Sequence, residues 1–118
     1  MQGSRLRVQL VDSDISSREF VYLTTSGRKT GLPREIEIWF VEADGGLFIL
    51  AEHGYRAHWV QNVLKNNRVR IRFDDQQRDG LARVLDAERD AEAYARARQL
   101  AREKYGWGEG LPVEIRLI

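Results

Sequence analysis

The chain has 118 residues, of which 42% are hydrophobic and 31% are charged, and its formal net charge at pH 7 is +1. This composition is typical of an ordinary globular protein, and the length predicts one domain spanning residues 1–118. Cysteine is absent, which excludes disulfides, thiol nucleophiles and cysteine metal sites and favours a cytoplasmic protein. No apolar run reaches the ~18 residues needed to span a bilayer, so we expect no membrane span.

The N-terminal half of the sequence predicts three strands. Residues 19–25 (EFVYLTT) are rich in β-branched and aromatic residues, and residues 34–41 alternate between apolar and polar side chains. Asp44-Gly45-Gly46 then predicts a turn, because these residues tolerate positive φ angles. The segment 47–51 is expected to return from this turn as the antiparallel partner of residues 34–41.

The C-terminal half predicts three more strands. Residues 68–73 alternate arginines with apolar side chains, and residues 80–85 are expected to pair with them across a polar turn at 74–79. Residues 111–118 follow a stretch containing glycine and proline and again alternate. The total is about six mostly antiparallel strands.

Two segments have helical periodicity. Residues 57–66 place apolar side chains such as Val60 and Leu64 at spacings of three and four. Residues 87–104 are rich in alanine and carry acids early and bases late, which suits the helix dipole, and Asp86 is a candidate N-cap. The fold class is therefore α+β, with one short inserted helix and one longer helix before the last strand of a barrel-like sheet.

The segment Leu23–Arg34 (LTTSGRKTGLPR) joins the first two predicted strands. Its glycines, the hydroxyl of Thr30 and the cations Arg28, Lys29 and Arg34 favour the binding of an anion such as phosphate. The phosphate loop of nucleotide hydrolases is excluded, because it needs a glycine before the lysine and a helix after it. A solvated turn whose cations only aid solubility remains the alternative.

Three separated segments, TTSGRKTGLPREIEIWF, HWVQNVLKNNRVRIRF and KYGWGEGLPVEIRL, resemble the deazaflavin-dependent nitroreductase and quinone reductase family. The resemblance covers residues 20–118 and implies a split β-barrel related to the pyridoxamine phosphate oxidase-like FMN-binding proteins. It also implies hydride transfer from reduced coenzyme F420, an 8-hydroxy-5-deazaflavin, to a quinone, a nitro compound or another electron-poor acceptor.

The resemblance implies roles for thirteen residues. The cations of the loop and its threonine hydroxyl would hold the anionic tail of the cofactor, and the strand after the loop would lie along the ring. The implied cofactor-binding residues are Arg28, Lys29, Thr30, Arg34, Glu35, Ile36, Glu37, Ile38, Ala51, His53, Trp59 and Asn62, and the implied catalytic proton donor is Tyr105. From residue type alone, core packing remains the alternative for Trp59 and Tyr105.

The sequence departs from the family pattern at two places. The family often has proline where Glu37 stands, and it commonly has serine and glycines where this chain has residues 51–56 (AEHGYR). FMN therefore stays open as an alternative to F420. A homodimer is expected, because related barrels build the cofactor cleft near a two-fold interface, and residues 1–17 are expected to form an edge strand or a flexible arm.

Two other function classes stay open. One is a non-catalytic protein that binds or stores a flavin or deazaflavin. The other is a nucleic-acid-binding barrel that uses Arg68, Arg70 and Arg72, but no aromatic side chains alternate with these arginines, so no nucleic-acid partner is expected. The two histidines, His53 and His58, have no carboxylate at metal-ligand spacing, so we expect no metal site.

Overall fold

The computed structural model describes residues 19–43 and 45–118, and within them it contains seven strands, a short 3₁₀ helix and two α-helices. The strands are β1 (Phe20–Ser26), β2 (Pro33–Trp39), β3 (Val41–Ala43), β4 (Gly46–Ala51), β5 (Arg68–Phe73), β6 (Gln76–Val84) and β7 (Leu111–Leu117), and the helices are the 3₁₀ helix Gly54–Arg56, α1 (His58–Lys65) and α2 (Ala91–Tyr105). The predicted α+β class is confirmed, whereas the expected edge strand or arm at 1–17 lies outside the described residues.

All seven strands belong to one antiparallel sheet in the order β2-β1-β5-β6-β7-β4-β3. The two strands at the ends of this order, β2 and β3, are consecutive in the chain and are separated only by Phe40. The sheet therefore curls until its two ends meet at one bent segment. This closure is the split β-barrel that the resemblance implied.

The predicted continuous strand at 34–41 is wrong, as is its predicted pairing. Most of it lies in β2, which pairs with β1, so that Val21 lies opposite Ile38, and only its last residue, Val41, belongs to β3 and pairs with β4. The strand count is therefore seven among the described residues instead of six. The alternation gave no sign of the bend, because Phe40 is buried and so continues the apolar pattern across it.

The hairpin between β5 and β6 is tighter than the sequence predicted. Phe73 pairs with Gln76, so the turn consists of Asp74 and Asp75 and does not extend over 74–79. Asp74 has a φ of 52°, a left-handed conformation that aspartate tolerates better than most residues. The first part of β6 was missed because its side chains are polar and partly or fully exposed.

Helix α1 lies within one residue of its predicted bounds at each end. Val60 and Val63 are buried as expected, but Leu64 is 59% exposed and does not contribute to the core. The helix instead buries a polar side chain, that of Asn62, which is only 3% exposed.

Helix α2 begins four residues later than predicted, at Ala91. The preceding residues form a turn in which Oδ1 of Asp86 accepts hydrogen bonds from the backbone N–H groups of Glu88 and Arg89 at 2.8 and 2.9 Å. Asp86 therefore caps this turn and not the helix itself. The helix ends at Tyr105, and the C-cap Gly106 follows with a φ of 77°.

Two apolar clusters stabilise the sheet and place α2 against it. The larger cluster fills the inside of the barrel and includes Val21, Leu23 and Ile71, each fully buried. The smaller cluster lies between α2 and the β3–β4 hairpin and contains Ala97 and Ala101. Neither helix in residues 19–43 and 45–118 has the length and apolar character required to cross a bilayer.

Candidate functional site

A cleft of about 1050 Å³ opens between β2, the end of β4, the start of α1 and the end of α2. Its volume suits an organic ligand with several fused rings. Its apolar lining residues are Ile36, Ile38, Trp39, Leu50, Ala51, Ala57, Trp59, Tyr105 and Trp107, and its ionisable ones are Glu37, Glu52, His53, Arg56 and His58. Most of the wall is aromatic or aliphatic, so we call this cavity the aromatic cleft.

Strand β2 gives the aromatic cleft one wall and one open backbone edge. Ile36 and Ile38 are half-buried and pack against the core of the barrel. Among the described strands, β2 has a partner on one side only, since it stands at the end of the sheet order. Its second edge therefore offers backbone N–H and C=O groups that a planar ligand in the cleft can bond.

An aromatic wall of the cleft is built where the end of β2 meets the end of α2. The rings of Trp39 and Tyr105 are stacked, with centroids 4.3 Å apart and planes inclined by 7°. Trp107 packs close to Gly110, where a Cβ atom would lie 2.9 Å from the Trp107 ring and 2.8 Å from the carbonyl oxygen of Ala51. Glycine at this position allows Trp107 to lie against the end of β4.

The loop between β1 and β2 is closed by its own hydrogen bonds. The N–H of Gly27 donates to the carbonyl of Leu32 at 2.7 Å, and the N–H of Gly31 donates to the carbonyl of Gly27 at 2.7 Å. Oγ1 of Thr30 accepts the N–H of Leu32 at 3.1 Å, so the threonine oxygen makes a hydrogen bond inside the loop while the hydroxyl proton can still be donated. Gly31 has a φ of 77°, which explains the glycine there.

The buried side chain of Asn62 fastens this loop to the barrel. Its Oδ1 accepts hydrogen bonds from the backbone N–H and from Nη1 of Arg28, both at 3.0 Å, and its Nδ2 donates to Oγ1 of Thr25 at 3.0 Å. Both polar atoms of the amide therefore have partners. In this arrangement Asn62 positions Arg28 and does not line the aromatic cleft, which differs from the predicted direct contact with a cofactor.

Arg28 links the loop to the aromatic cleft through a histidine. Its Nη2 lies 3.1 Å from Nδ1 of His58, a residue of the cleft wall. A guanidinium group can only donate, so Nδ1 of His58 accepts and the imidazole proton is on Nε2.

A second cavity, of about 580 Å³, lies between the loop and the C-terminal end of α1. Arg28, Lys29 and Lys65 line it, and we call it the basic cavity. Arg34 does not line it, and its Nε lies beside Gly27, 3.5 Å from the position that a Cβ would take there. The predicted cation cluster is therefore divided, because Arg28 and Lys29 share the basic cavity and Arg34 folds over the loop.

Glu35 is directed away from both cavities. Its carboxylate forms a two-pronged contact with Arg72, with N–O distances of 3.1 and 3.2 Å, and the Arg72 guanidinium lies 4.2 Å from the centroid of the Tyr22 ring. The side chain of Glu35 therefore contributes to the outer face of the sheet, and the cofactor contact that the resemblance implies for this residue would be made by its backbone.

The hydroxyl of Tyr105 is occupied by backbone groups. It accepts the N–H of Phe40 at 3.1 Å, and the carbonyl oxygens of Phe40 and Glu19 lie 2.6 Å from it. Burial raises the pKa of this phenol, which makes release of its proton harder. The geometry therefore does not favour the predicted role as a proton donor, and the ring is what Tyr105 contributes to the aromatic cleft.

Sequence reasoning missed several residues of the aromatic cleft. The alternation at 34–41 puts Trp39 on the same face of the strand as Glu35 and Glu37, and Leu50, Arg56 and His58 carried no motif. The run of aromatic residues around Trp107 was the one available signal. Among residues 19–43 and 45–118, no group of three or more metal-ligating side chains is close enough to hold an ion.

We expect Asn62→Ala to destabilise the protein and to loosen the loop. The substitution leaves the buried Thr25 hydroxyl and the Arg28 N–H without a partner, at a cost of about 1–3 kcal/mol, measured by urea denaturation. Asn67→Ala, at an exposed position just after the same helix, is the matched control and should cost about 0.5 kcal/mol or less. Equal costs for the two variants would contradict the role of Asn62.

Solved structures similar to this one share its fold. A structure of an F420-H2-dependent reductase (FDR-A) is 27% identical, with a TM-score of 0.63, and covers 86% of this chain and 95% of its own. The haem storage protein HutZ of Vibrio cholerae is 18% identical, with a TM-score of 0.74, and the match covers 96% and 92% of the two chains. A structure described as a domain-swapped dimer is 24% identical, with a TM-score of 0.64, and the match covers 94% and 92%.

No curated protein matches the sequence significantly. The model of the F420H(2)-dependent quinone reductase family, however, matches residues 5–116, which is nearly the whole chain. The chain therefore belongs to the F420H(2)-dependent quinone reductase family.

Proposed function

We propose that this protein is a reductase that uses reduced coenzyme F420 to transfer a hydride to a quinone, a nitro compound or another electron-poor acceptor. The family is one of oxidoreductases. For this chain, the use of F420, the class of acceptor and the residues involved are our proposal. The observation that carries it is the pair of cavities. An aromatic cleft and a basic cavity meet at the contact between Arg28 and His58.

The aromatic cleft fits the ring system of a deazaflavin. Its walls include Trp39, Trp59 and Trp107, which suit the faces of a planar ring, and the open edge of β2 offers backbone groups to the pyrimidine side. We propose that Ile36 and Ile38 lie along the ring, with Ala51, His53 and Trp59 on the opposite wall. This assignment keeps those cofactor contacts from the resemblance and reassigns Asn62 and the side chain of Glu35.

The basic cavity fits the acidic tail of the same cofactor. Arg28 and Lys29 bring two positive charges to it from the loop, and Lys65 brings a third from α1. Arg28 also reaches the wall of the aromatic cleft, so we propose that the tail passes this guanidinium on its way out of the cleft. Arg34 and the hydroxyl proton of Thr30 are then additional donors at the rim of the loop.

The residues of this chain have positioning and electrostatic roles in the proposed reaction. When bound, reduced F420 supplies the hydride from C5 of its ring. The tryptophans of the aromatic cleft exclude water from the ring, and the N–H at Nε2 of His58 provides a hydrogen-bond donor in the wall. Arg56 brings positive charge to the same wall, which favours the negative charge that develops on a quinone or nitro oxygen.

Purified protein should oxidise reduced F420 in the presence of a quinone such as menadione. We expect turnover, followed as the return of the deazaflavin absorbance, and no comparable turnover with reduced FMN in the same assay. Tight binding of F420 without turnover would favour a storage protein instead, as the structural neighbour HutZ is for haem. Retention of FMN and turnover with reduced FMN alone would contradict the choice of cofactor.

We expect Lys29→Ala to weaken F420 binding about tenfold, the loss typical of one charged contact, in a fluorescence titration. Added salt should weaken wild-type binding more than binding by the variant, because the variant has one charge fewer to screen. Arg78→Ala is the matched control, since Arg78 lies on β6 and donates to the carbonyl of Ile118. An unchanged affinity of Lys29→Ala would contradict the assignment of the basic cavity.

We further propose that the protein forms a homodimer, as the domain-swapped neighbour does. Two large apolar side chains near the aromatic cleft are exposed, Trp39 at 48% and Tyr55 at 57%, and a second copy would cover them. Light scattering should give a mass of twice 13.7 kDa. A mass of one chain at the concentrations at which the protein is active would contradict the dimer.

A further inference from the structure

The peptide of Phe40 lies at the bend between β2 and β3, where the sheet offers it no partner among the described strands. The residue is 1% exposed, and buried backbone groups need hydrogen bonds. The last two residues of α2 supply them. The hydroxyl of Tyr105 accepts the N–H of Phe40, and both this hydroxyl and Nζ of Lys104 reach its carbonyl oxygen, at 2.6 and 3.1 Å.

The side chains that bond this peptide also pack against its neighbours. The Tyr105 ring is stacked on Trp39, the residue that precedes the bend and lines the aromatic cleft. Nζ of Lys104 lies 3.8 Å from the centroid of the Phe40 ring and 5.2 Å from that of Tyr105. Burial lowers the pKa of Lys104 and raises that of Tyr105, so both groups are partly removed from water.

We propose that the Tyr105 hydroxyl and the Lys104 ammonium group are positioning groups for the aromatic cleft. By completing the hydrogen bonds of the Phe40 peptide they fix the bend, and the fixed bend holds the indole of Trp39 against Tyr105 as one wall. These two polar groups thereby control how tightly the ring and the acceptor bind. The inference rests on the proposed function for its effect on cofactor and acceptor, but the effect on Trp39 does not depend on F420.

A positioning role has a kinetic signature that differs from proton donation. Loss of a positioning group widens the wall and weakens binding, so KM rises while kcat changes little. Loss of a proton donor lowers kcat at a nearly unchanged KM. The two readings of Tyr105 can therefore be separated with one substitution.

The test compares Tyr105→Phe with Tyr94→Phe. The first variant keeps the stacked ring and removes the hydroxyl. Tyr94 lies on the same helix, borders the same apolar cluster and has no hydroxyl hydrogen bond to a described residue, so it is a matched control. We expect Tyr105→Phe to raise the Kd for F420 or the KM for menadione about three- to tenfold, with kcat within about twofold, and Tyr94→Phe to behave as wild type.

A second measurement uses cofactor-free protein. The chain has three tryptophans, so replacing Trp59 and Trp107 by phenylalanine leaves Trp39 as the single emitter. In this background we expect Tyr105→Phe to increase the quenching of Trp39 fluorescence by acrylamide, and Tyr94→Phe to leave it unchanged. This readout remains informative even if the protein does not turn over F420, so failure of the proposed function and failure of the positioning role can be distinguished.

Lys104→Met provides an independent variant, since it keeps the aliphatic chain over Phe40 and removes the ammonium group. We expect it to increase Trp39 quenching as well, and we expect the double variant with Tyr105→Phe to be non-additive, because both groups bond one peptide. Wild-type quenching in both single variants would overturn the proposal. A fall in kcat at constant KM for Tyr105→Phe would also overturn it, in favour of proton donation.

Discussion

The hydrogen bonds of the buried Asn62 amide hold the loop, helix α1 and strand β1 together. Because this amide binds the backbone and guanidinium of Arg28 on one side and the hydroxyl of Thr25 on the other, the loop has a fixed orientation relative to the barrel. The Arg28 guanidinium is therefore directed at His58 in the wall of the aromatic cleft, while the loop around it borders the basic cavity. The two cavities form one candidate site only while this amide is in place.

The ionisable residues of the aromatic cleft give it a mixed charge. Glu37 and Glu52 line it together with Arg56, so an anionic ring would meet repulsion as well as attraction there. The basic cavity has no carboxylate among its described lining residues. In the proposed complex, attraction for an anionic cofactor is consequently concentrated on its tail, and the ring is held mainly by aromatic contacts and by the open edge of β2.

Much of the fold could be predicted because alternation and helical periodicity follow burial directly. The bend at Phe40 could not, since its hydrogen bonds come from Tyr105, which is 65 residues away in sequence, and no local pattern records such a partner. The candidate site likewise contains features that the local sequence predicts and features that it does not. The loop cations were visible as a motif, whereas the burial of Asn62 and the outward direction of Glu35 depend on contacts with residues far along the chain.

One continuous segment, residues 33–43, forms the strands at both ends of the sheet. This restricts how the length of the segment can vary. An insertion or deletion of one residue beside Phe40 would shift β3 relative to β2 and turn the side chains of β3 to the opposite face. Val41 would then no longer face the cluster that it forms with Phe48 and with Ala97 of α2. The exposed turn at residues 74–75, between β5 and β6, has no such requirement, so we expect homologues to differ in length there while this segment keeps its number of residues.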